Sequence, residues 1–157
     1  MNKAKVTGTH FVPLRITLGL IYLETWWFNF SVGVFTTENY INVVEDYTSR
    51  NIYNPFNYMA ETIILPNADL FLILQILAEF IIAISLIFGI FCRFGALFGA
   101  FMSVNLFLLT LGADWHWSYI LMIVGFITCA IVGAGRWWGI DYILKSNLPP
   151  KIVKYLI

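Results

Sequence analysis

Two carboxylic acids, Glu24 and Glu79, interrupt otherwise apolar stretches of this 157-residue chain. An ionisable group inside a hydrocarbon layer is costly to place, so each is a candidate for proton handling. Gln75 stands four residues before Glu79, one helical turn away on the same face. Glu79 lies ten residues into its apolar run, about 15 Å from the outer end, which puts it near a membrane midplane. Glu24 and Asn105 sit about two turns from the outer ends of their own runs. If these faces converge, Glu24, Gln75, Glu79, Asn105 and His116 line one polar pocket that opens outward. A quinone suits such a pocket. Its carbonyls need hydrogen-bond donors and a proton route, its ring needs aromatic walls such as Trp26 and Trp117, and its tail needs a way out between helices. Glu79, Glu24 and His116 are then the catalytic candidates, and Gln75, Glu79, Asn105, Trp26 and Trp117 the quinone-binding ones. The structural alternative stays open: Glu79 as a packing acid or ion-pair member, Glu24 reaching the headgroups, and His116, in "ADWHWSYI" with Asp114, as an interfacial loop residue.

The elements that must carry these groups are membrane helices. The chain is 60% hydrophobic and 11% charged, with a mean hydropathy of +0.79, far outside the range of a soluble domain. Four apolar runs, near 11–30, 69–92, 94–111 and 117–134, are each long enough to approach or cross a core of about 30 Å. No short apolar stretch ends in a small-residue cleavage site, so the first run reads as a spanning helix and not a removable signal. The expected fold is an all-α, four-helix transmembrane bundle forming a single domain over 1–157, multi-pass in the cell membrane. Eight of the nine basic residues fall at the N-terminus, near 93 or in the tail 135–157, and only Arg50 falls in the long loop 31–68, which places both termini in the cytoplasm.

The outer loop is too long for a plain turn. Tyr40, Val43, Val44 and Tyr47 repeat at helical spacing after Thr36 or Thr37, a plausible N-cap, and Phe56, Met59, Ala60, Ile63 and Ile64 repeat it between Pro55 and Pro66. Two short amphipathic helices would cap the bundle or rest in the headgroup layer. Gly95 and Gly99, and Gly125, Cys129 and Gly133, form small-residue stripes suited to close helix packing. Cys92 and Cys129 read as small apolar residues. Arg15 and Glu24, nine residues apart, cannot share a helix face. His10 and His116 fall at opposite faces, so no haem is expected, and no metal or nucleotide motif is present. Nor is a nucleic-acid partner expected.

The segments "LAEFIIAISLIFGIFCRFGAL" (77–97), "HWSYILMIVGFITCAIVGAGRWWGIDYIL" (116–144) and "PLRITLGLIYLETWW" (13–27) resemble the DoxX/DoxD family of small four-helix membrane proteins, with "GAGRWWGID" (133–141) the most specific part. The long outer loop makes the chain more similar to the DoxD branch. That resemblance implies a membrane subunit of an archaeal thiosulfate:quinone oxidoreductase, with a DoxA-like second subunit and an association with a terminal quinol oxidase. The substrate would be a membrane quinone, of the caldariella type if the source is archaeal. Arg15, Arg93, Arg136 and Asp141 match the family's pattern and are expected to be structural, with an Arg136 to Asp141 pair fixing the last helix end. A non-catalytic accessory subunit of a quinol oxidase complex is the alternative.

Overall fold

The computed structural model describes residues 8–112, 116–146 and 149, so Asp114, Trp115 and the last residues of the tail lie outside the described residues. Among the described residues there is no strand. The helices are α1 (Val12–Ser31), α2 (Thr37–Arg50), α3 (Asn54–Met59), α4 (Ala68–Phe88), α5 (Cys92–Leu109), α6 (Trp117–Val132) and α7 (Asp141–Leu144). The four apolar runs are α1, α4, α5 and α6. Among them, α1 packs on α4 and α6, and α5 packs on α4 and α6, around one core that includes Leu18, Ile82, Leu86 and Phe126. The small-residue stripes sit at the closest approaches: a Cβ on Gly95 would strike Ser85 of α4, and one on Gly99 would strike the Phe126 ring of α6.

Two helical stretches are long and apolar enough to cross a membrane, Asn54–Phe88 and Cys92–Leu109, and well under half of each is buried inside the protein. A soluble core helix would be mostly buried. Here Leu74, Leu77, Phe101, Leu121 and Ile131 all face outward. So continuous an apolar exterior needs lipid around it.

The loop end of the molecule corrects one expectation. The spacing predicts a separate helix over 56–64, but α3 runs through a π-helical turn (Ala60–Ile64) and a 3-10 turn (Leu65–Asn67) straight into α4. Pro66 falls in the 3-10 turn, and the change of hydrogen-bond register there accommodates its missing N–H without a break. Thr36 does precede α2 in an extended conformation, yet its hydroxyl donates to the Gly33 carbonyl and accepts no N–H of the helix. Tyr40 and Val44 of α2 bury against Phe56, Ala60, Ala68 and Leu72 in a second apolar cluster. Asn51 then ties this layer to α5: its amide donates to the Leu108 and Leu109 carbonyls, both at 2.7 Å, closing a helix end that would otherwise leave them unpaired.

At the opposite end, residues 135–146 are no loose tail. Gly89 ends α4 in the left-handed region (φ 65°), and the N–H groups of Ile140 and Asp141 donate to the Phe88 and Gly89 carbonyls. The closing segment thereby latches onto the α4–α5 turn.

Candidate functional site

Along α1, Arg15, Tyr22 and Asn29 recur every seven residues and so share the face turned toward α4 and α5. Each meets a polar partner at a different level. Asn29 donates its amide to both carboxyl oxygens of Glu79, at 3.3 and 3.4 Å, and Gln75 donates to the same group at 3.0 Å. Tyr22 shares a hydrogen bond with Ser103 of α5 at 3.1 Å and reaches the Gly99 carbonyl at 3.4 Å. Arg15 donates to the Trp138 carbonyl at 3.4 Å.

Glu79 and Tyr22 line one cleft of about 430 Å³, together with Ile21, Thr25, Leu106, Ser118, Tyr119, Leu121 and Met122. Glu79 is 3% exposed at its base, whereas the rim residues Ile21 and Leu121 are 39% and 75% exposed. Among the described residues the cleft is open sideways between α1 and α6, past Ile21 and Leu121. Four hydroxyl-bearing residues, Tyr22, Thr25, Ser118 and Tyr119, share the wall with aliphatic side chains; the Tyr22 hydroxyl pairs with Ser103 and that of Thr25 donates to the Ile21 carbonyl. That mixture, apolar with a few placed polar groups and of this volume, is characteristic of small-molecule sites.

The expected pocket residues do not all converge. Glu24 is exposed on the opposite side of α1 from Arg15, as their nine-residue spacing requires, and does not reach the cleft. Asn105 turns its amide back to the Phe101 carbonyl of its own helix at 2.8 Å, which removes it from the wall. His116 lies beyond the cleft, against the rings of Phe107 and Trp117, with Nδ1 buried and unpaired among the described residues. Trp26 stacks on Phe30 and packs on Phe80, and Trp117 is 61% exposed, so neither walls the cleft. Contact with Asn29, two residues before the end of α1, sets Glu79 level with the loop end of that helix. α4 does not start at the bundle's edge but continues from α3, so the loop-side length of that helix extends beyond the end of α1. Sequence reasoning missed Tyr22, Asn29 and Ser103. The seven-residue spacing of Arg15, Tyr22 and Asn29 is the signal that would have found the first two.

At the tail end Asp141 is fully buried. Its carboxyl accepts the N–H groups of Phe91 and Cys92, at 2.7 and 2.8 Å, and so caps α5. Burial pushes this carboxyl up from its ordinary value, opposed by those two N–H groups and by Arg15 and Arg136. The expected ion pair with Arg136 is not formed among the described residues, because both carboxyl oxygens are taken by the backbone. Arg136 leaves its Nε buried and unpaired. Arg93 instead ties α5 to α6 by donating Nε to the Ala130 carbonyl at 3.0 Å. Arg15, 1% exposed, lies so close to Gly89 and Gly139 that a Cβ on either would overlap its Nη1. No group of three or more potential metal ligands occurs among the described residues.

A helical protein whose long helices are apolar on the outside and carry a buried carboxyl at a lateral cleft is a membrane protein. The sequence profile of the DoxX family matches residues 10–112, about two-thirds of the chain, and the protein belongs to that family. The match spans α1 to α5, including the long loop, and ends before the "GAGRWWGID" motif. No curated protein matches the chain. No solved structure matches it either.

Proposed function

We propose that this chain is the membrane subunit of a thiosulfate:quinone oxidoreductase and that a quinone head enters the lateral cleft and is reduced beside Glu79. The observation that carries the reading is a buried carboxyl, held by Asn29 and Gln75, at the base of a mainly apolar cleft open to the apolar flank. In the reaction two thiosulfate ions lose two electrons and join through a sulfur–sulfur bond as tetrathionate; the quinone takes those electrons and two protons to become the quinol. Glu79 hands one proton to a quinone oxygen, the hydroxyl of Tyr22, Thr25, Ser118 or Tyr119 donates a hydrogen bond to the other, and that second oxygen takes the remaining proton from water. The isoprenoid tail leaves past Ile21 and Leu121 into lipid.

In this reading all four long helices cross the plasma membrane and both termini are cytoplasmic. α6, with 16 residues, is about 24 Å long, and its 3-10 extension carries the chain to the interface. The anionic sulfur donor and a DoxA-like subunit act from the loop side, where His116 precedes α6 beyond the cleft; a terminal quinol oxidase consumes the quinol. The decisive experiment assays the purified chain, alone and with its partner subunit, for thiosulfate-dependent quinone reduction. Turnover that needs this chain supports the reading. Full turnover by the partner without it leaves the chain a non-catalytic accessory subunit, a role compatible with a Glu79 carboxyl fully occupied by amide donors.

A further inference from the structure

A second apolar depression, of about 290 Å³, runs along the other flank of the molecule between α4 and α5, lined by Phe80, Ile81, Ile84, Ile90, Phe91 and Phe94. Ser85 also borders it, but its hydroxyl donates to the Ile90 carbonyl at 2.7 Å and is spent there. The groove asks for an apolar occupant. At its tail end it meets the closing segment: Phe91 is gripped by Asp141, and Ile140 donates to Phe88.

That segment is built unlike the rest of the surface. Trp138 is 83% exposed yet holds φ at +53°, a left-handed conformation that a bulky residue adopts only under constraint. Nothing inside the protein gains from the indole. Tyr142 and Ile143 are likewise exposed, and Lys145 extends from the same turn. Arg136 is half-buried, its Nε turned inside without a partner among the described residues, and the one acid of the segment, Asp141, is turned wholly inward. The outer face thus combines aromatic rings with positive charge only, the composition that meets anionic headgroups.

We propose that the tail end binds an anionic phospholipid, one acyl chain lying in the α4–α5 groove and the phosphate meeting Arg136 and Lys145, with the Trp138 indole at headgroup level. The apolar groove and the acid-free basic rim at its end match the two halves of one lipid molecule, which a flat protein partner would not require.

The test uses the full chain in detergent, incubated with an equimolar mixture of phosphatidylglycerol and phosphatidylcholine, with retained lipid read by native mass spectrometry. Phosphatidylglycerol is expected to be retained preferentially. Lys145→Gln lowers that preference about fivefold, the effect of one basic side chain at an anionic surface. Ile84→Phe, which fills the groove, lowers retention of both lipids. Trp138→Gly separates binding from folding: it relieves the backbone constraint, so the melting temperature holds or rises while lipid retention falls. Equal retention of the two lipids, or unchanged retention in both Ile84→Phe and Trp138→Gly, overturns the proposal. So does crosslinking between two copies through Ile84, which would make the groove a protein interface.

Discussion

The carboxyl group of Asp141 accepts the backbone N–H of Cys92 across 49 residues of sequence, so the last residue of the Gly133–Asp141 motif caps the helix that follows "FGIFC". The two motifs are halves of one joint. Gly89 and Gly139 admit the Arg15 guanidinium between them, and Gly135 leaves room for the Asp141 carboxyl itself.

Removal of that cap exposes the joint's dependence on it. Asp141→Ala leaves two buried N–H groups unpaired and is expected to cost about 3 kcal/mol, read as a lowered midpoint in thermal unfolding of the detergent-solubilised chain. A loss below about 1 kcal/mol would mean that water replaces the carboxyl.

The same residue gives the fold a pH dependence. Its carboxyl lies above the ordinary value in the folded state, chiefly through burial, so the folded chain holds this proton more tightly than the unfolded one. The stabilisation is complete below the ordinary carboxylate range and is lost as pH rises through the raised value. Melting temperature should fall over that window in the wild type and flatten in Asp141→Asn. An equal slope in both proteins removes Asp141 as its source.

Gly89 is irreplaceable for two independent reasons, its φ of +65° and the contact with Arg15. Gly89→Ala should cost at least about 2 kcal/mol, whereas alanine at Gly33, left-handed but facing open space apart from Asn39, should cost about 1 kcal/mol. Equal losses at the two positions would show that the guanidinium yields.

How much of this was legible follows from the kind of signal each residue carries. Helical periodicity fixes azimuth along one helix, so the opposition of Arg15 and Glu24 and the alignment of Gln75 with Glu79 could be read directly. The four apolar runs were readable for the same reason, because length and hydropathy are local properties. Azimuth relative to a neighbour is not local. Asn105 could have faced the cleft or its own backbone, and the choice depends on how α5 is rotated against α6, where Gly99 meets Phe126. The start of α4 was misplaced because Pro66, read as a break, is absorbed by a change of helical register. The capping role of Asp141 joins residues 49 apart and needed the fold itself.

Glu79→Gln keeps the side-chain shape and its contact with Gln75 while removing the transferable proton. Thiosulfate-dependent quinone reduction should drop by about a hundredfold, the usual scale of a lost general acid, with intact assembly and an unchanged melting profile. Near-normal turnover would return Glu79 to a packing role.

Asn29 and Tyr22 provide the sharper contrast, because both serve Glu79's neighbourhood but only Tyr22 lines the cleft. Asn29→Leu strips two of the three hydrogen bonds that orient the carboxyl, leaving Gln75 alone to hold it. If Glu79 must present its proton to a bound quinone, losing that orientation slows the chemical step: kcat should fall about tenfold, while KM for the quinone stays close to the wild-type value. Tyr22→Phe has the opposite signature. It removes a hydroxyl from the wall and strands the Ser103 hydroxyl that it pairs with, so a substrate carbonyl loses a donor and KM should rise about tenfold with kcat little changed. Steady-state kinetics with a soluble quinone on both variants, reconstituted with the partner subunit, reads the two parameters side by side. A fall of kcat alone in both variants would place the quinone outside this cleft, with Tyr22 acting only through the Glu79 network; no change in either would place the reaction elsewhere in the complex.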